Sequence, residues 1–256
     1  MTTDITKALH MAEIAGRIML ENGAETYRAE ETVEHICQAL GYPDVRVLVI
    51  PTGVLLTLQD KTGESHSSVV RVSSRSLNLD HIHQANIISR RAGLQPVEES
   101  IAQLEAIGQK ALYPSWIITL AATLCSGCFA LVFGGGLIEF LISSLAGLLA
   151  SLLGKLLGTI DNYQVISNLF SGMVIALTSL VSTHFLCMGD YNIIIAGAVL
   201  PLLPGLAMTV AIRDTMRGDL VSGVARIAEA LLSAACVAVG VGSILGLWLA
   251  IGGSLA

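Results

Sequence analysis

Trp116-Ile-Ile-Thr-Leu-Ala-Ala-Thr-Leu-Cys-Ser-Gly-Cys-Phe-Ala-Leu-Val-Phe133 holds no charged residue. Gly134-Gly135-Gly136 then leads into a second apolar run, Leu137 to Leu157. A helix that crosses hydrocarbon needs about 20 mostly apolar residues, and these two runs qualify. Toward the C-terminus three more follow: Val165 to Cys187, Asn192 to Ile212 and Val224 to Ile251. Toward the N-terminus the character changes, for 14 of the 20 acidic and 10 of the 14 basic residues precede Pro114. The whole chain is 53% hydrophobic and only 13% charged, against about a quarter charged in a soluble domain. The expected fold is therefore an α-helical membrane protein with about five transmembrane helices. A small α+β cytoplasmic domain over 1–113 precedes a transmembrane helical bundle over 114–256 (spans 116–133, 137–157, 165–187, 192–212 and 224–251).

Within 1–113 the pattern reads ααβββαα. Leu9, Ala12, Ile14, Ala15, Ile18 and Met19 recur with helical spacing, and Asn22-Gly23 is a helix stop. A second amphipathic helix runs from about Glu25 to Leu40. Val45 to Ile50, Val54 to Leu58 and Ser67 to Val72 read as strands, separated by Pro51-Thr52-Gly53 and Asp60-Lys61-Thr62-Gly63 turns. Asn78 or Asp80 caps a third helix, and a fourth runs from about Val97 to Lys110. Met1 to Leu20 mixes Asp4, Lys7, Glu13 and Arg17 with apolar residues, so no signal peptide is expected.

Basic residues set the orientation, because cytoplasmic joints carry an excess of Lys and Arg. Lys155 flanks the second joint, Arg213 and Arg217 lie in the fourth, and Arg226 follows it. With Lys110 and Arg90-Arg91, all of these fall on one side if the N-terminus is cytoplasmic, which puts the C-terminus outward after an odd number of spans. Tyr113 and Trp116 suit the interface. The net charge of −6 argues against nucleic acid, whose phosphates need a basic surface.

Chemistry-bearing groups are sparse. No nucleophile triad, phosphate loop or metal-ligand spacing is present; His35 and His66 stand alone in the sequence, and His81 and His83 point to different helix faces. No cofactor, metal or catalytic residue is expected. The five cysteines, four of them in apolar stretches, read as small buried hydrophobes. Three features stand out. Glu21 to Glu31, with Glu21, Glu25, Arg28 and Glu31, is dense in charge; helix capping and Glu25/Arg28 pairing compete with a functional surface. Pro201-Leu-Leu-Pro204-Gly205 breaks a span, either as a simple kink or as a half-helix whose N–H groups face an anion. Asp219, Ser222, Arg226, Glu229 and Ser233 form one helical stripe that enters the membrane, and the 22 residues of the span after Glu229, to Ile251, are uncharged. Ionisable groups there mark a pathway or pair structurally. The small-residue series Ser143/Gly147/Ser151 and the polar stripe Asn168/Ser171/Thr178/Ser182 suit close helix packing.

A series of motifs runs along the chain: Leu20-Glu21-Asn22-Gly23-Ala24-Glu25-Thr26-Tyr27-Arg28 with Glu30 and Glu31, Pro51-Thr52-Gly53, Asn78-Leu79-Asp80, and Phe129-Ala-Leu-Val-Phe-Gly-Gly135. It continues through Leu203-Pro204-Gly205-Leu206-Ala207, Ala211-Ile-Arg213-Asp214, and Gly218-Asp219-Leu-Val-Ser222-Gly-Val-Ala-Arg226-Ile-Ala-Glu229-Ala230. On these motifs the chain resembles the threonine/serine exporter family, and in particular the larger subunit of its split, two-component form. Single-chain members carry a second membrane half, so the resemblance implies a partner, a second small membrane subunit of about four or five spans. It also implies a bacterial cell (inner) membrane and export driven by the proton motive force. The cargo would be threonine or serine, or a dicarboxylate such as succinate. Expected on the substrate and proton pathway are Arg213, Asp214, Asp219, Arg226, Glu229, Pro204 and Gly205. Arg213 or Arg226 would hold the substrate carboxylate, and Glu229 or Asp219 would carry the proton. A membrane-tethered enzyme, or a sensor that gates the pore, are the alternatives for the N-terminal domain.

Overall fold

The computed structural model describes residues 4–73, 75–107, 113–158 and 164–253. Lys110 of the charge argument, the end of the fourth N-terminal helix and most of the second joint lie outside them. The protein is mostly helical with one small sheet, and it divides into two units: Met1–Ala111 with Leu206–Ala228, and Leu112–Gly205 with Glu229–Ala256.

In the first unit, α1 (Ile5–Glu21) and α2 (Thr26–Ala39) form a helical pair. The Asp4 side chain caps α1 by accepting from the Thr6 N–H at 3.1 Å. Its buried face mixes the small Ala8, Ala12, Ala15 and Gly16 with the larger Met11, Ile14, Ile18, Met19 and Leu20. Gly16 lets the pair close up: a Cβ there would lie 3.0 Å from Val33 Cγ2. The joint after α1 turns on Gly23 at φ +84, a conformation glycine adopts without steric penalty. The orphaned carbonyls at the end of α1 are met from elsewhere in the chain, Glu21 by the Ser76 N–H at 2.7 Å and Asn22 by the Asn78 N–H at 3.2 Å.

Strands β1 (Val45–Ile50), β2 (Gly53–Gln59) and β3 (Ser65–Arg71) form an antiparallel meander in that order. Val54, Leu56 and Leu58 of β2 face the core while Leu55 faces out, the alternation a half-buried sheet requires. Helix α3 (Leu79–Arg90) starts at Asn78, whose side chain accepts from the Asp80 and His81 N–H groups. Helix α4 (Val97–Ala106) completes the core layer through Val97 and Leu104. Two later helices join this unit: α9 (Gly205–Arg217), from Leu206 onward, and the first turns of α10 (Leu220–Ala250).

The second unit holds α5 (Ser115–Val132), α6 (Leu137–Gly158), α7 (Gln164–Leu180), α8 (Tyr191–Val199) and the rest of α10. Its interior is lined by small residues, including Ala130, Ala146, Ala150, Ala176 and Ala198, around Ile175 and Ile194. Large apolar side chains point outward instead, such as Leu141, Leu145 and Leu152. This inversion of the soluble pattern is what lipid-facing helices show. Among the described residues four helices are long and apolar enough to cross a membrane, or five if the bent pair α8 and α9 is one crossing.

Two sequence expectations need correction, and the fourth span, Asn192 to Ile212, breaks at its prolines as expected. It stops at Val199, passes through a 3-10 turn at Leu200–Leu202, goes extended at Leu203 and restarts at Gly205. Two prolines in four residues remove two ladder donors, and the backbone breaks there. The third span ends in a π turn, Val181–Phe185, rather than as a regular helix. Only Cys37 among the cysteines is buried, and Cys128 and Cys187 are exposed, because a small residue in an apolar helix can face outward as readily as inward.

Candidate functional site

Helix α9 ends at Arg217, and Gly218, at φ +97, turns the chain back into α10. The turn closes through Gly218 N–H to the Thr215 carbonyl and Asp219 N–H to the Asp214 carbonyl at 3.0 Å, a glycine C-cap. Gly223 lets the two helices meet: a Cβ there would lie 3.0 Å from the Ala211 carbonyl oxygen. This hairpin sets Arg226 beside Asp214, with Arg226 Nε 3.2 Å from Asp214 Oδ2. Both groups are buried, Asp214 completely and the Arg226 side chain to within 8%.

Asp214 has a second task. The N-cap residue of α2, Glu25, makes no side-chain cap. Asp214 supplies it from 188 residues away: Oδ1 accepts from the Thr26 N–H at 3.0 Å and Oδ2 from the Thr26 hydroxyl at 3.2 Å. A carboxylate at a helix N-terminus satisfies an orphan donor and meets the positive end of the helix dipole. Arg226 Nη2 donates to the Ala24 carbonyl at 2.9 Å, so Arg226 joins the same joint from the other side.

Around this buried pair sits a second, more open layer. Arg213 Nη1 donates to Glu25 Oε1 at 2.8 Å, and Arg28 Nη1 donates to Glu25 Oε2 at 3.2 Å. Glu25 is thus held between two guanidinium groups. Burial alone would raise its carboxyl pKa, but a backbone hydrogen bond, Arg213 and Arg28 outweigh that and hold it below the ordinary value of 4.5. The Arg213 side chain itself is 59% exposed. The Arg217 guanidinium stacks over the Tyr27 ring at 4.6 Å. Glu30 donates no proton here but accepts from the Val49 N–H at 3.0 Å; burial is the main reason its pKa is raised, with a contribution from Asp219.

The structure therefore gathers Glu25, Arg28, Arg213, Asp214 and Arg226, which the sequence offered as two separate motifs. Glu21 lends its backbone carbonyl, Asp219 opens α10, and Glu31 lies exposed on α2. Pro204, Gly205 and Glu229 belong to the second unit, where Glu229 is exposed on α10 and Ser233 accepts from Asn168 Nδ2 at 2.6 Å. Thr26 and Tyr27, neither singled out by charge, prove to be the partners of Asp214 and Arg217. The identity of Thr26 as the first residue of a helix without its own cap was the available signal. His66 is less isolated than its spacing suggested: the β2–β3 turn brings ligand atoms of Asp60, Glu64 and His66 within 4.8 Å of one another. Asp60 Oδ1 meanwhile accepts from Thr62 and Glu64 N–H groups, which is ordinary turn chemistry.

Several apolar helices, each long enough to cross a bilayer, in a chain that also folds a polar unit around a buried ion pair, mark a multi-pass membrane protein. The chain belongs to the family described as "Putative threonine/serine exporter", whose pattern its residues 10–248 match. It is 26% identical over 236 residues to the "Probable succinate transporter subunit YjjP" of Klebsiella aerogenes, covering 86% of this chain and 87% of that one. The protein of the same name from Escherichia coli K12 is 25% identical, with 91% of each chain covered. A "Probable threonine/serine exporter" of Mycobacterium tuberculosis is 22% identical over 92% of this chain but only 45% of its own length. No solved structure matches the chain.

Proposed function

We propose that this chain is one subunit of a secondary exporter of small carboxylate-bearing solutes, driven by the proton motive force across a bacterial inner membrane. The observation that carries the reading is the ion-pair cluster Glu25–Arg213–Asp214–Arg226, in a chain of this exporter family. A short dicarboxylate is the first cargo to test, because the relatives matched end to end carry succinate in their names; threonine and serine are the second. The relative matched over only 45% of its length supports a two-subunit assembly, in which a partner membrane subunit supplies the other half.

Arg226 and Asp214 act as a buried clasp that holds the start of α10 to the N-terminus of α2. Arg213, exposed and paired with Glu25, is the group that receives the substrate carboxylate, exchanging one carboxylate for another. The break at Pro204-Gly205 leaves helix-terminal N–H groups for polar partners. Glu229, exposed on an otherwise apolar stretch of α10, carries the coupling proton and faces the partner subunit. The N-terminal elements are cytoplasmic and the C-terminus is outward.

The test is export of labelled succinate, threonine and serine from cells making this chain alone and together with a four- or five-span partner subunit. Export that needs both chains supports the reading, and the exported compound names the cargo. Glu229→Gln is expected to abolish coupled export with the protein still in the membrane; normal export by that variant would remove Glu229 from the proton path.

A further inference from the structure

Helix α2 presents Arg28, Glu31, Thr32 and His35 at spacings of 3, 1 and 3, so one face carries all four. Helix α3 presents Asn86, Ser89 and Arg90 on the face opposite. Between them lies a cavity of about 380 Å³ lined by these seven residues and no apolar one. That volume falls within the roughly 300–1,000 Å³ of small-molecule sites, but a lining with two arginines and no apolar residue suits a hydrophilic ion rather than a greasy ligand.

The cavity is a built feature, for its floor is rigid. The buried Thr32 hydroxyl donates to the Arg28 carbonyl at 2.7 Å, and the buried Ser89 hydroxyl donates to the Thr32 carbonyl at 3.4 Å. His35 Nδ1 lies 3.1 Å from the Ser89 carbonyl; a carbonyl only accepts, so Nδ1 carries the proton and the ring is fixed in place. Arg90 Nε donates to Asn86 Oδ1 at 3.4 Å, which orients its guanidinium. Arg28 gives Nη1 to Glu25, and a guanidinium has five N–H donors to share. Two arginines against one Glu31 leave the lining cationic. Paired N–H forks of this kind match a carboxylate in the plane.

We infer that this cavity is a ligand site of the N-terminal unit for a small molecule bearing a carboxylate, distinct from Arg213 itself and sharing with its cluster only Arg28. A dicarboxylate would place one carboxylate on each arginine. An α-amino acid would place its carboxylate on an arginine and its ammonium on Glu31. The site makes the N-terminal unit a reader of small carboxylates, whatever the membrane half carries.

Equilibrium binding of labelled succinate and labelled L-serine to the purified full-length chain in detergent tests this, with Arg90→Glu as the variant. Arg90 is exposed in the last turn of α3 and belongs to neither the buried clasp nor the Glu25 cluster. Saturable binding of either compound, weakened tenfold or more in Arg90→Glu with an unchanged melting temperature, is the expected result. Preference for succinate assigns both arginines to carboxylates, and preference for serine assigns Glu31 to the ammonium. Binding of neither compound overturns the inference, as does binding that Arg90→Glu leaves unchanged, which would place the ligand elsewhere. If Arg90→Glu melts lower, Arg90→Lys takes its place: it keeps the charge and loses the fork, and unchanged binding there overturns the inference too. Export plays no part in this readout, so its failure and that of the transport reading are told apart.

Discussion

Asp214 and Arg226 illustrate how a buried charge constrains its neighbours. Removing one partner of such a pair leaves the other charge buried and uncompensated, at a cost of about 3–5 kcal/mol. Asp214→Leu is therefore expected to destabilise strongly, since it also strips the cap from α2, and Arg226→Leu somewhat less. The double variant Asp214→Leu/Arg226→Leu is expected to be more stable than Asp214→Leu alone. Midpoints of detergent-induced unfolding check the order, and a double variant as unstable as the sum of the singles would contradict a charge-compensation role. Glu25 gives a pH signature. Its folded pKa lies below the ordinary 4.5, so its contribution is fully present above that value and is lost as pH falls through the folded pKa. Glu25→Gln is expected to lower stability at pH 7 and to flatten this acid limb; a parallel pH curve for the variant would assign the limb to other carboxylates. The charges of this cluster were legible in the sequence as dense, suspicious motifs. Their pairing was not, because Thr26 and Asp214 are 188 residues apart and no local pattern records such a distance.

Among the elements, the membrane helices owe their packing to missing side chains. At Gly127 of α5 a Cβ would lie 2.8 Å from the Phe140 carbonyl oxygen of α6, and at Gly197 of α8 another would lie 2.7 Å from the Ala130 nitrogen of α5. Backbone atoms cannot step aside as a flexible side chain can. Gly127→Leu is expected to cost at least the ~1–3 kcal/mol typical of overpacking, read as a lowered unfolding midpoint, whereas Gly246→Ala, with open space around it, is expected to stay near wild type. Apolar length and glycine or proline punctuation were enough to find the long helices, the three strands and the break after Val199. The π turn at Val181–Phe185 left no trace in Val-Ser-Thr-His-Phe, since a one-residue change in helical pitch alters hydrogen bonding without altering composition. The first turns of α10 were read two ways, as the end of the fourth joint and as the start of the helical stripe from Asp219; α10 begins at Leu220 and bears out the stripe.

For the whole molecule, the division into units has a consequence of parity. Leu206–Ala228 belongs with Met1–Ala111, and a charged unit of that kind stays on one side of a bilayer. The chain departs from it at Leu112 and is back in it at Leu206, so an even number of crossings in between is the expectation to test. Helices α5, α6 and α7 each qualify as a passage, and on this count Tyr191–Leu202, which is long enough only together with Gly205–Arg217, is expected to supply the fourth. With α10 as the fifth, a reporter fused at Gly253 is expected on the opposite side from one fused ahead of Asp4; both on one side would withdraw α8 as a passage. Twelve residues by these bounds reach roughly 18–20 Å at helical rise, while the hydrocarbon slab is about 30 Å thick. A fourth passage of that length would be a short one, and the membrane or a neighbouring subunit would make up the difference at the proline break. A charged solute crossing there would meet a thinner insulating layer than the bilayer alone presents.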